Sequence, residues 1–275
     1  MSLFPGSRQL LIGMIHVRAL PGSPSGRDSV SAVVAAAARE ARILRDAGFG
    51  ALMIENMHDV PYVHAEHSPE IVACMTRVGL AVRDAAPELP FGVQVLSGGN
   101  REAIAVAHAV AEAPRAVPAF IRCENFVFSH VADEGLLPRA EAGPLLRYRR
   151  RIGADRVSVL CDIKKKHASH ALTADISIAQ TARAAEFFRA DGVIVTGSAT
   201  GQPVSIDDLR DVRSATSLPV LVGSGATPDN IAALLEHADA VIVGSSIKKA
   251  GLWSNPLDPR RCRALVKAFR SGART

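Results

Sequence analysis

The 275-residue sequence is poor in aromatic residues and in cysteine, and it has no long apolar run. No stretch approaches the roughly 20 consecutive apolar residues that a membrane helix needs. The apolar start at residues 10–17 lacks the basic region and cleavage site of a signal peptide. We also find no basic stripe with interleaved aromatic residues, which nucleic-acid-binding surfaces usually carry. We therefore expect no transmembrane segment and no nucleic-acid partner.

The four cysteines are far apart and form no CxxC or zinc-type spacing; they are Cys74, Cys123, Cys161 and Cys262. Free thiols of this kind behave as small apolar residues when they lie in buried strands. Widely spaced, unpaired cysteines indicate a reducing compartment, so we expect a cytoplasmic protein.

The composition is that of a globular protein with a large core. Hydrophobic residues make up 48% of the chain and charged residues 21%, which argues against disorder. The net charge is +5, and its densest run, residues 147–151, ends a predicted helix, where cations complement the helix dipole. A mild basic excess is compatible with an anionic small-molecule substrate.

Short apolar strands alternate with helical segments from one end of the chain to the other. The predicted strands cover residues 10–16, 51–55, 91–95, 120–124, 156–162, 192–196, 219–223 and 240–244. Nearly continuous apolar strands that alternate with helices predict parallel pairing with both faces buried. A doubly wound open sheet would carry GxGxxG after the first strand, and this motif is absent. We predict an α/β fold with one (β/α)8 barrel domain over residues 1–275.

Six consecutive predicted strands end in polar residues. These residues are His16, Glu55 with Asn56, Gln94, Glu124 with Asn125, Asp162 with Lys164, and Thr196. Any one of them could be a helix cap or part of a solvated loop, but six together favour a shared polar cavity. Barrel enzymes place their chemistry at this end of the strands. Glu55, Glu124 and Asp162 are predicted to supply acid–base chemistry, together with His16, or to hold a divalent cation such as Mg²⁺.

The seventh and eighth strands end in loops rich in glycine and serine, Gly223-Ser224-Gly225 and Gly244-Ser245-Ser246. Glycine allows close approach of the backbone to a ligand, and consecutive N–H groups form an anion-binding nest. These are the two loops in which barrels commonly hold a phosphate. Gly197, after the sixth strand, could extend the nest. The alternative is that these residues only form short turns.

A basic segment, Lys164-Lys165-Lys166-His167, follows Asp162, and we expect Lys166 and His167 to line the same cavity. Alternate residues of an extended chain share a face, so Asp162 and Lys164 should lie on the same side. Lys164 could form a Schiff base, bind a second phosphate or neutralise a carboxylate, or the segment could be a solvated loop. A neighbouring carboxylate favours the charged form of the lysine, and we therefore predict an electrostatic role for it.

Several of these segments resemble the BtpA family. The most specific are Ile12-Gly-Met-Ile-His-Val-Arg-Ala-Leu-Pro-Gly-Ser-Pro24 and Ile54-Glu-Asn-Met-His-Asp-Val-Pro61. The segment Asp162-Ile-Lys-Lys-Lys-His167 matches as well. The resemblance covers nearly the whole chain. It implies a barrel of the ribulose-phosphate-binding type. The family is named for photosystem I biogenesis, and some relatives accompany sugar-metabolism genes.

Two hypotheses for the function follow. The first is an enzyme that acts on a phosphorylated small molecule, such as a phosphosugar or a nucleotide-like compound, with isomerase, lyase and hydrolase chemistry all open. The second is a non-catalytic assembly factor that uses the barrel as a binding scaffold. A ring of buried carboxylates argues for the enzyme, because a scaffold has no use for buried charge. A homo-oligomer is compatible with either hypothesis.

Overall fold

A computed structural model describes residues 3–4, 9–64, 67–111, 117–165, 167–197 and 203–273. In chain order its strands are β1 (Leu10–His16), β2 (Ala51–Glu55), β3 (Phe91–Gln94), β4 (Ala119–Cys123), β5 (His130–Ala132), β6 (Gly135–Leu137), β7 (Val157–Ile163), β8 (Ala168–Ser169), β9 (Gly192–Val195), β10 (Val220–Val222) and β11 (Ala240–Val243). Its helices are α1 (Val30–Ala47), α2 (Pro69–Ala85), α3 (Asn100–Ala111), α4 (Ala142–Arg151), α5 (Ile178–Phe187), α6 (Ile206–Ala215), α7 (Ile231–Leu235) and α8 (Pro259–Gly272).

Eight of the strands form a closed parallel barrel in the order β1-β11-β10-β9-β7-β4-β3-β2. The barrel closes because β1 pairs with both β2 and β11. Each barrel strand is followed by a helix that returns the chain to the bottom of the barrel, as parallel pairing requires. The predicted (β/α)8 barrel is confirmed.

Local signals set the ends of the first helix. The side chain of Ser29 accepts a hydrogen bond from the backbone N–H of Ala32 and caps α1. Gly48 ends the helix with a φ of 96°, a left-handed conformation that favours glycine. Both signals are legible in the sequence, and the structure begins and ends α1 where they stand.

Side chains of the barrel strands alternate between two apolar layers. One layer lies inside the barrel and contains Met14, Met53, Phe120, Leu160 and Ile242, among others. The other lies between the strands and the surrounding helices. Side chains two positions apart on a strand point to the same face. The residue two positions after the last inward apolar side chain therefore also points inward. The end of each strand therefore places one side chain at the mouth of the barrel.

A small antiparallel sheet, which the sequence analysis did not predict, lies outside the barrel. Its order is β6-β5-β8, and β5 pairs with both of its neighbours. The β5–β6 hairpin occupies residues 130–137, and α4 begins after it, at Ala142. Since β8 lies beyond β7, this sheet links the segment that follows β4 to the segment that follows β7.

The described cysteines are all reduced and buried. Burial raises the pKa of the Cys262 thiol to about 11, so this side chain is a neutral thiol at physiological pH. The described helices include none that has the length and apolar character for crossing a membrane.

Candidate active site

A cavity of about 510 Å³ opens at the carboxyl ends of the barrel strands. The strand register places the inward-facing end residues side by side, with His16 opposite Glu55 and Glu55 opposite Gln94. Side chains from the ends of five strands line the cavity; they are His16, Glu55, Gln94, Arg122, Glu124 and Asp162. The three carboxylates predicted to share a cavity thus do so, and each is less than 10% exposed.

Arg122 and Asp162 form a buried ion pair in the cavity wall. Nε and Nη2 of Arg122 donate to the two carboxylate oxygens of Asp162 at 2.9 and 3.0 Å, a bidentate arrangement. Burial alone would lower the pKa of Arg122, but the charge of Asp162 outweighs it and raises that pKa. The guanidinium is therefore a fixed positive charge. Sequence reasoning missed Arg122, although a lone charged residue within the apolar strand β4 was a signal.

Lys165 and Glu124 form a second ion pair. Lys165 Nζ lies 2.9 Å from Glu124 Oε1, and the backbone N–H of Gly98 donates to Glu124 Oε2 at 2.7 Å. Burial would raise the pKa of Glu124, but the ammonium group lowers it overall. Burial would likewise lower the pKa of Lys165, but Glu124 raises it overall. Both groups are therefore charged at neutral pH.

The structure does not place Lys164 at the cavity, contrary to the expectation that it shares a side with Asp162. Lys164 has a φ of 47°, so the chain turns after β7 and is no longer extended there. Its Nζ donates to the carbonyl oxygen of Thr173 at 3.3 Å. Lys165 takes the place at the cavity that Lys164 was expected to have. His167 lines the cavity as predicted, and Lys166 falls outside the described residues.

This difference between neighbouring lysines predicts different effects of the same substitution. Lys165→Met should lower the free energy of unfolding by about 2 kcal/mol at pH 7, since it leaves the buried Glu124 carboxylate without its cation. Lys164→Met, the matched control, should cost less than about 1 kcal/mol, because it removes one hydrogen bond. Denaturant unfolding monitored by circular dichroism measures both values. Equal losses in the two variants would contradict the assigned pairing.

The contribution of the Lys165–Glu124 pair should also depend on pH. Because the pKa of Glu124 is lowered on folding, the stabilisation contributed by Glu124 is present above the ordinary glutamate pKa. It is lost as the pH falls through the pKa of Glu124 in the folded protein. Because the pKa of Lys165 is raised on folding, the stabilisation contributed by Lys165 is present below the ordinary lysine pKa. It is lost as the pH rises through the pKa of Lys165 in the folded protein. The stability difference between wild type and Lys165→Met should thus be largest at neutral to mildly alkaline pH. It should decrease toward acidic pH, as Glu124 becomes protonated, and above about pH 10, as Lys165 loses its proton.

His16 is held in one tautomer by a residue from the loop after β11. Its Nδ1 lies 2.8 Å from the carbonyl oxygen of Trp253. A carbonyl oxygen can only accept, so Nδ1 carries the proton. The other ring nitrogen, Nε2, lies 3.8 Å from Glu55 Oε2. A Cβ atom added at Gly244 would lie 3.0 Å from the same Nε2, so glycine leaves the imidazole its space.

The loops after β10 and β11 form the opposite part of the cavity wall. Gly225 has a φ of 76°, as in a nest of successive N–H groups. Ser246 Oγ donates to the carbonyl oxygen of Ala226 at 2.7 Å and joins the two loops. Within the described ranges, the N–H groups of Gly225 and Ala226 donate to no backbone acceptor. Ser245 and Ser246 begin a short 3₁₀ helix, Ser245–Ile247, and the first N–H groups of a helix have no acceptor within it. Four N–H groups at one end of the cavity are therefore available to an anionic ligand.

Gly223, Ser224 and Gly244 also line the cavity, but each has a local structural task. Ser224 Oγ accepts a hydrogen bond from the backbone N–H of Gly197 at 3.2 Å, which ties the loop after β9 to the loop after β10. A Cβ atom added at Gly223 would lie 2.6 Å from Ile194 Cγ2, so only glycine fits there.

Besides Lys164, four of the described predicted site residues do not line the cavity: Asn56, Asn125, Thr196 and Gly197. Asn56 is fully buried, and it accepts from the backbone N–H of Leu96 at 2.7 Å and donates to Asp59. Asn125 donates to the carbonyl oxygen of Arg139. These two amides support the loops that surround the cavity. Their position directly after a strand does not distinguish this role from a role in ligand binding.

The described residues include no group of three His, Cys, Asp or Glu side chains arranged to hold a metal ion. Asp162 and Glu124 are each engaged by a cation, at 2.9 Å in both pairs. A divalent cation held by these carboxylates and Glu55 does not fit this arrangement. His64 and His67 lie near the carbonyl oxygens of Ser97 and Leu96.

A comparison with protein families identifies the chain. The model of the BtpA family matches residues 7–271. The chain belongs to the BtpA family.

Relatives in the BtpA family include proteins from distant organisms. An uncharacterized mitochondrial protein of Caenorhabditis elegans is 44% identical over 269 residues, which cover 96% of this chain and 94% of that protein. The photosystem I biogenesis protein BtpA of Synechocystis is 34% identical over 266 residues, which cover 96% and 89%. Because one BtpA relative is named as mitochondrial, the cytoplasmic location stays a prediction.

Solved structures share the fold of this BtpA-family barrel. The (S)-3-O-geranylgeranylglyceryl phosphate synthase of Thermoplasma acidophilum, in complex with sn-glycerol-1-phosphate, superposes with a TM-score of 0.63. The alignment covers 98% of this chain and 99% of that chain at 16% sequence identity. Similarity at this level supports the fold assignment and does not transfer the reaction.

Proposed function

We propose that this protein is an enzyme that acts on a phosphorylated small molecule, such as a phosphosugar or a nucleotide-like compound. One observation carries the proposal. A single cavity is lined at one end by backbone N–H groups available to an anion and elsewhere by an imidazole, carboxylates and fixed cations. A ligand bound in it would contact both sets of groups.

The phosphate is assigned to the loops after β10 and β11. Successive N–H groups around a left-handed glycine carry partial positive charges that complement a phosphate dianion. Arg261 also lines this part of the cavity, where its Nη1 donates to the carbonyl oxygen of Ser246 at 3.2 Å. Gly225, Ala226, Ser245 and Ser246 would bind the phosphate oxygens through their N–H groups. Gly223, Ser224, Gly244 and Gly197 would support these loops.

His16 is the proposed proton acceptor. The Trp253 carbonyl fixes its proton on Nδ1, so Nε2 is the basic nitrogen. The Glu55 carboxylate, 3.8 Å away, would stabilise the imidazolium that forms when Nε2 takes a proton. A general base of this kind can remove a proton next to a carbonyl group or activate water, and the imidazolium so formed can protonate a leaving group. Isomerase, lyase and hydrolase reactions all require such a step.

Lys165 and Arg122 would stabilise negative charge on the reacting ligand. The pKa of Lys165 is raised by Glu124, so the side chain is an ammonium ion at neutral pH. A Schiff base requires the neutral amine, and we therefore assign Lys165 to electrostatic stabilisation. Borohydride trapping with carbonyl compounds should leave both Lys164 and Lys165 unmodified.

The alternative, a non-catalytic assembly factor, agrees with the name of the Synechocystis relative. A scaffold would gain little from two buried ion pairs around an open cavity, since burying each charge costs several kcal/mol before pairing offsets it. The enzyme proposal uses these charges and the scaffold proposal does not. Screening for ligand-induced thermal stabilisation with a phosphometabolite library, with and without Mg²⁺, separates the two hypotheses. The scaffold hypothesis predicts that no phosphometabolite stabilises the protein.

The phosphate assignment predicts that Gly225→Val lowers the affinity for inorganic phosphate at least about tenfold. A β-branched residue is strained at a φ of 76° and would turn the N–H groups away from the ligand. Isothermal titration calorimetry with inorganic phosphate measures the loss.

The matched control is Gly153→Val. Gly153 has a φ of 74° and lies between α4 and β7, at the other end of the barrel. The Gly153→Val variant should therefore incur similar backbone strain and keep its affinity for inorganic phosphate. Unchanged affinity in Gly225→Val would contradict the assigned phosphate site.

A further inference from the structure

The wall of the cavity opposite the phosphate loops has an unusual chemical character. In the barrel order, β11 and β4 are separated by four positions in either direction, and so are β10 and β3. The ends of β3 and β4 therefore face the phosphate loops across the mouth. Gln94 and Glu124 come from these strand ends, and Asp133 and Glu134 from the β5–β6 hairpin that follows β4.

This wall presents hydrogen-bond acceptors that no described residue satisfies. Gln94 is 2% exposed, and its Oε1 has no partner among the described residues, although it lines the cavity. The Oε2 atom of Glu134 is likewise buried and has no donor within the described ranges. Buried acceptors without a donor are uncommon in folded proteins and call for a ligand or an ordered water.

The charge balance of the cavity also indicates that this wall would accept a hydrogen-bond donor. Its described lining contains five carboxylates, Glu55, Glu124, Asp133, Glu134 and Asp162, and three Lys or Arg side chains, Arg122, Lys165 and Arg261. Two of the cations are paired with Asp162 and Glu124, and the third lies at the phosphate end. Lys165 also attracts Glu134, yet the described lining still carries two more carboxylates than lysine and arginine side chains. A ligand that is anionic along its whole length would be repelled from this wall.

We infer that the ligand of this cavity carries a hydrogen-bond donor group, hydroxyl or ammonium, at the end opposite its phosphate. This inference rests on the proposed function, because it uses the phosphate loops to orient the ligand. The donor would reach Gln94 Oε1 and the Glu134 carboxylate. The substrate class is therefore a phosphomonoester of a polyhydroxylated or amino compound, and not of an apolar chain or of a second acid.

Three probes with the same five-carbon chain test the inference: pentyl phosphate, 5-hydroxypentyl phosphate and 5-aminopentyl phosphate. They differ only in the group opposite the phosphate. At least one of the two donor probes should bind about fivefold or more tightly than pentyl phosphate, as expected for one additional hydrogen bond. Preference for the hydroxyl probe identifies a polyol class, and preference for the ammonium probe identifies an amine class.

Substitutions in the wall test whether the preference for the donor probes arises from Gln94 and Glu134. Gln94→Leu should reduce the advantage of either donor probe, while Glu134→Gln should reduce mainly that of the ammonium probe. Glu88→Gln removes an exposed carboxylate in the turn between α2 and β3, at the far end of the barrel, and should change nothing. Thermal unfolding of each variant shows whether it is folded.

The outcomes separate this inference from the proposed function. If all three probes bind with equal affinity and Gly225→Val weakens them all, the phosphate site stands and the donor inference is wrong. A donor preference that persists unchanged in both Gln94→Leu and Glu134→Gln also overturns the inference. If inorganic phosphate and the three probes all fail to bind, the proposed function fails and the inference fails with it.

Discussion

Replacing Arg122 with methionine should lower the free energy of unfolding by about 3–5 kcal/mol. The substitution leaves Asp162, whose side chain is 1% exposed, without the guanidinium that donates two hydrogen bonds to it. A buried carboxylate that loses the cation bonded to it retains most of the cost of desolvation. Denaturant unfolding at pH 7 measures this change.

The double variant Arg122→Met with Asp162→Leu should recover most of the loss. Replacing both partners of a buried ion pair by apolar side chains removes the stranded charge, and such exchanges are often close to neutral in stability. Arg150→Met serves as the control, because Arg150 pairs with Asp155 at the surface with 81% of its side chain exposed. It should cost less than about 1 kcal/mol. If Arg122→Met destabilised the protein as little as Arg150→Met does, the Arg122–Asp162 ion pair would not stabilise the barrel.

His16→Asn should lower kcat by about 10²- to 10⁴-fold, the usual contribution of a general acid or base. The amide nitrogen of asparagine occupies the place of Nδ1, so it can still donate to the Trp253 carbonyl oxygen. No group replaces Nε2, which is the nitrogen assigned to proton transfer. The measurement is the steady-state turnover of the phosphorylated compound that the thermal-shift screen identifies.

Inorganic phosphate binding provides the internal control for His16→Asn. The phosphate loops do not include His16, so the affinity of the variant should remain within about threefold of wild type, a difference below 1 kcal/mol. Loss of turnover with retained phosphate affinity separates proton transfer from binding. Wild-type kcat in His16→Asn would remove His16 from the mechanism, and another residue of the lining would have to act as the base.

The sequence predicted the barrel and much of the cavity lining because both follow from periodicity. Apolar strands that alternate with helices close into a parallel barrel, and the strand ends then meet at one mouth. His16, Glu55, Gln94, Glu124 and Asp162 were found in this way. Their position at strand ends placed them in one cavity before any contact was known.

The remainder of the site depends on interactions that have no periodic signature. Arg122 lies within an apolar strand, and its role depends on Asp162, 40 residues further along the chain. Lys164 was favoured over Lys165 because the strand was assumed to stay extended, and the positive φ at Lys164 reverses that order. Strands as short as β5, β6 and β8 carry too few residues for an alternating pattern, so the hairpin with Asp133 and Glu134 was missed.

The close approach of Gly244 to His16 has an evolutionary consequence. The two residues lie on β1 and in the segment after β11, more than 200 positions apart, yet a single methyl group at position 244 would come within 3.0 Å of the imidazole. Selection should therefore act on them as a pair. Members of the family that keep a histidine at position 16 should keep glycine at position 244. Members that have gained a side chain at position 244 should have lost the histidine and, with it, the reaction that depends on a base at this position.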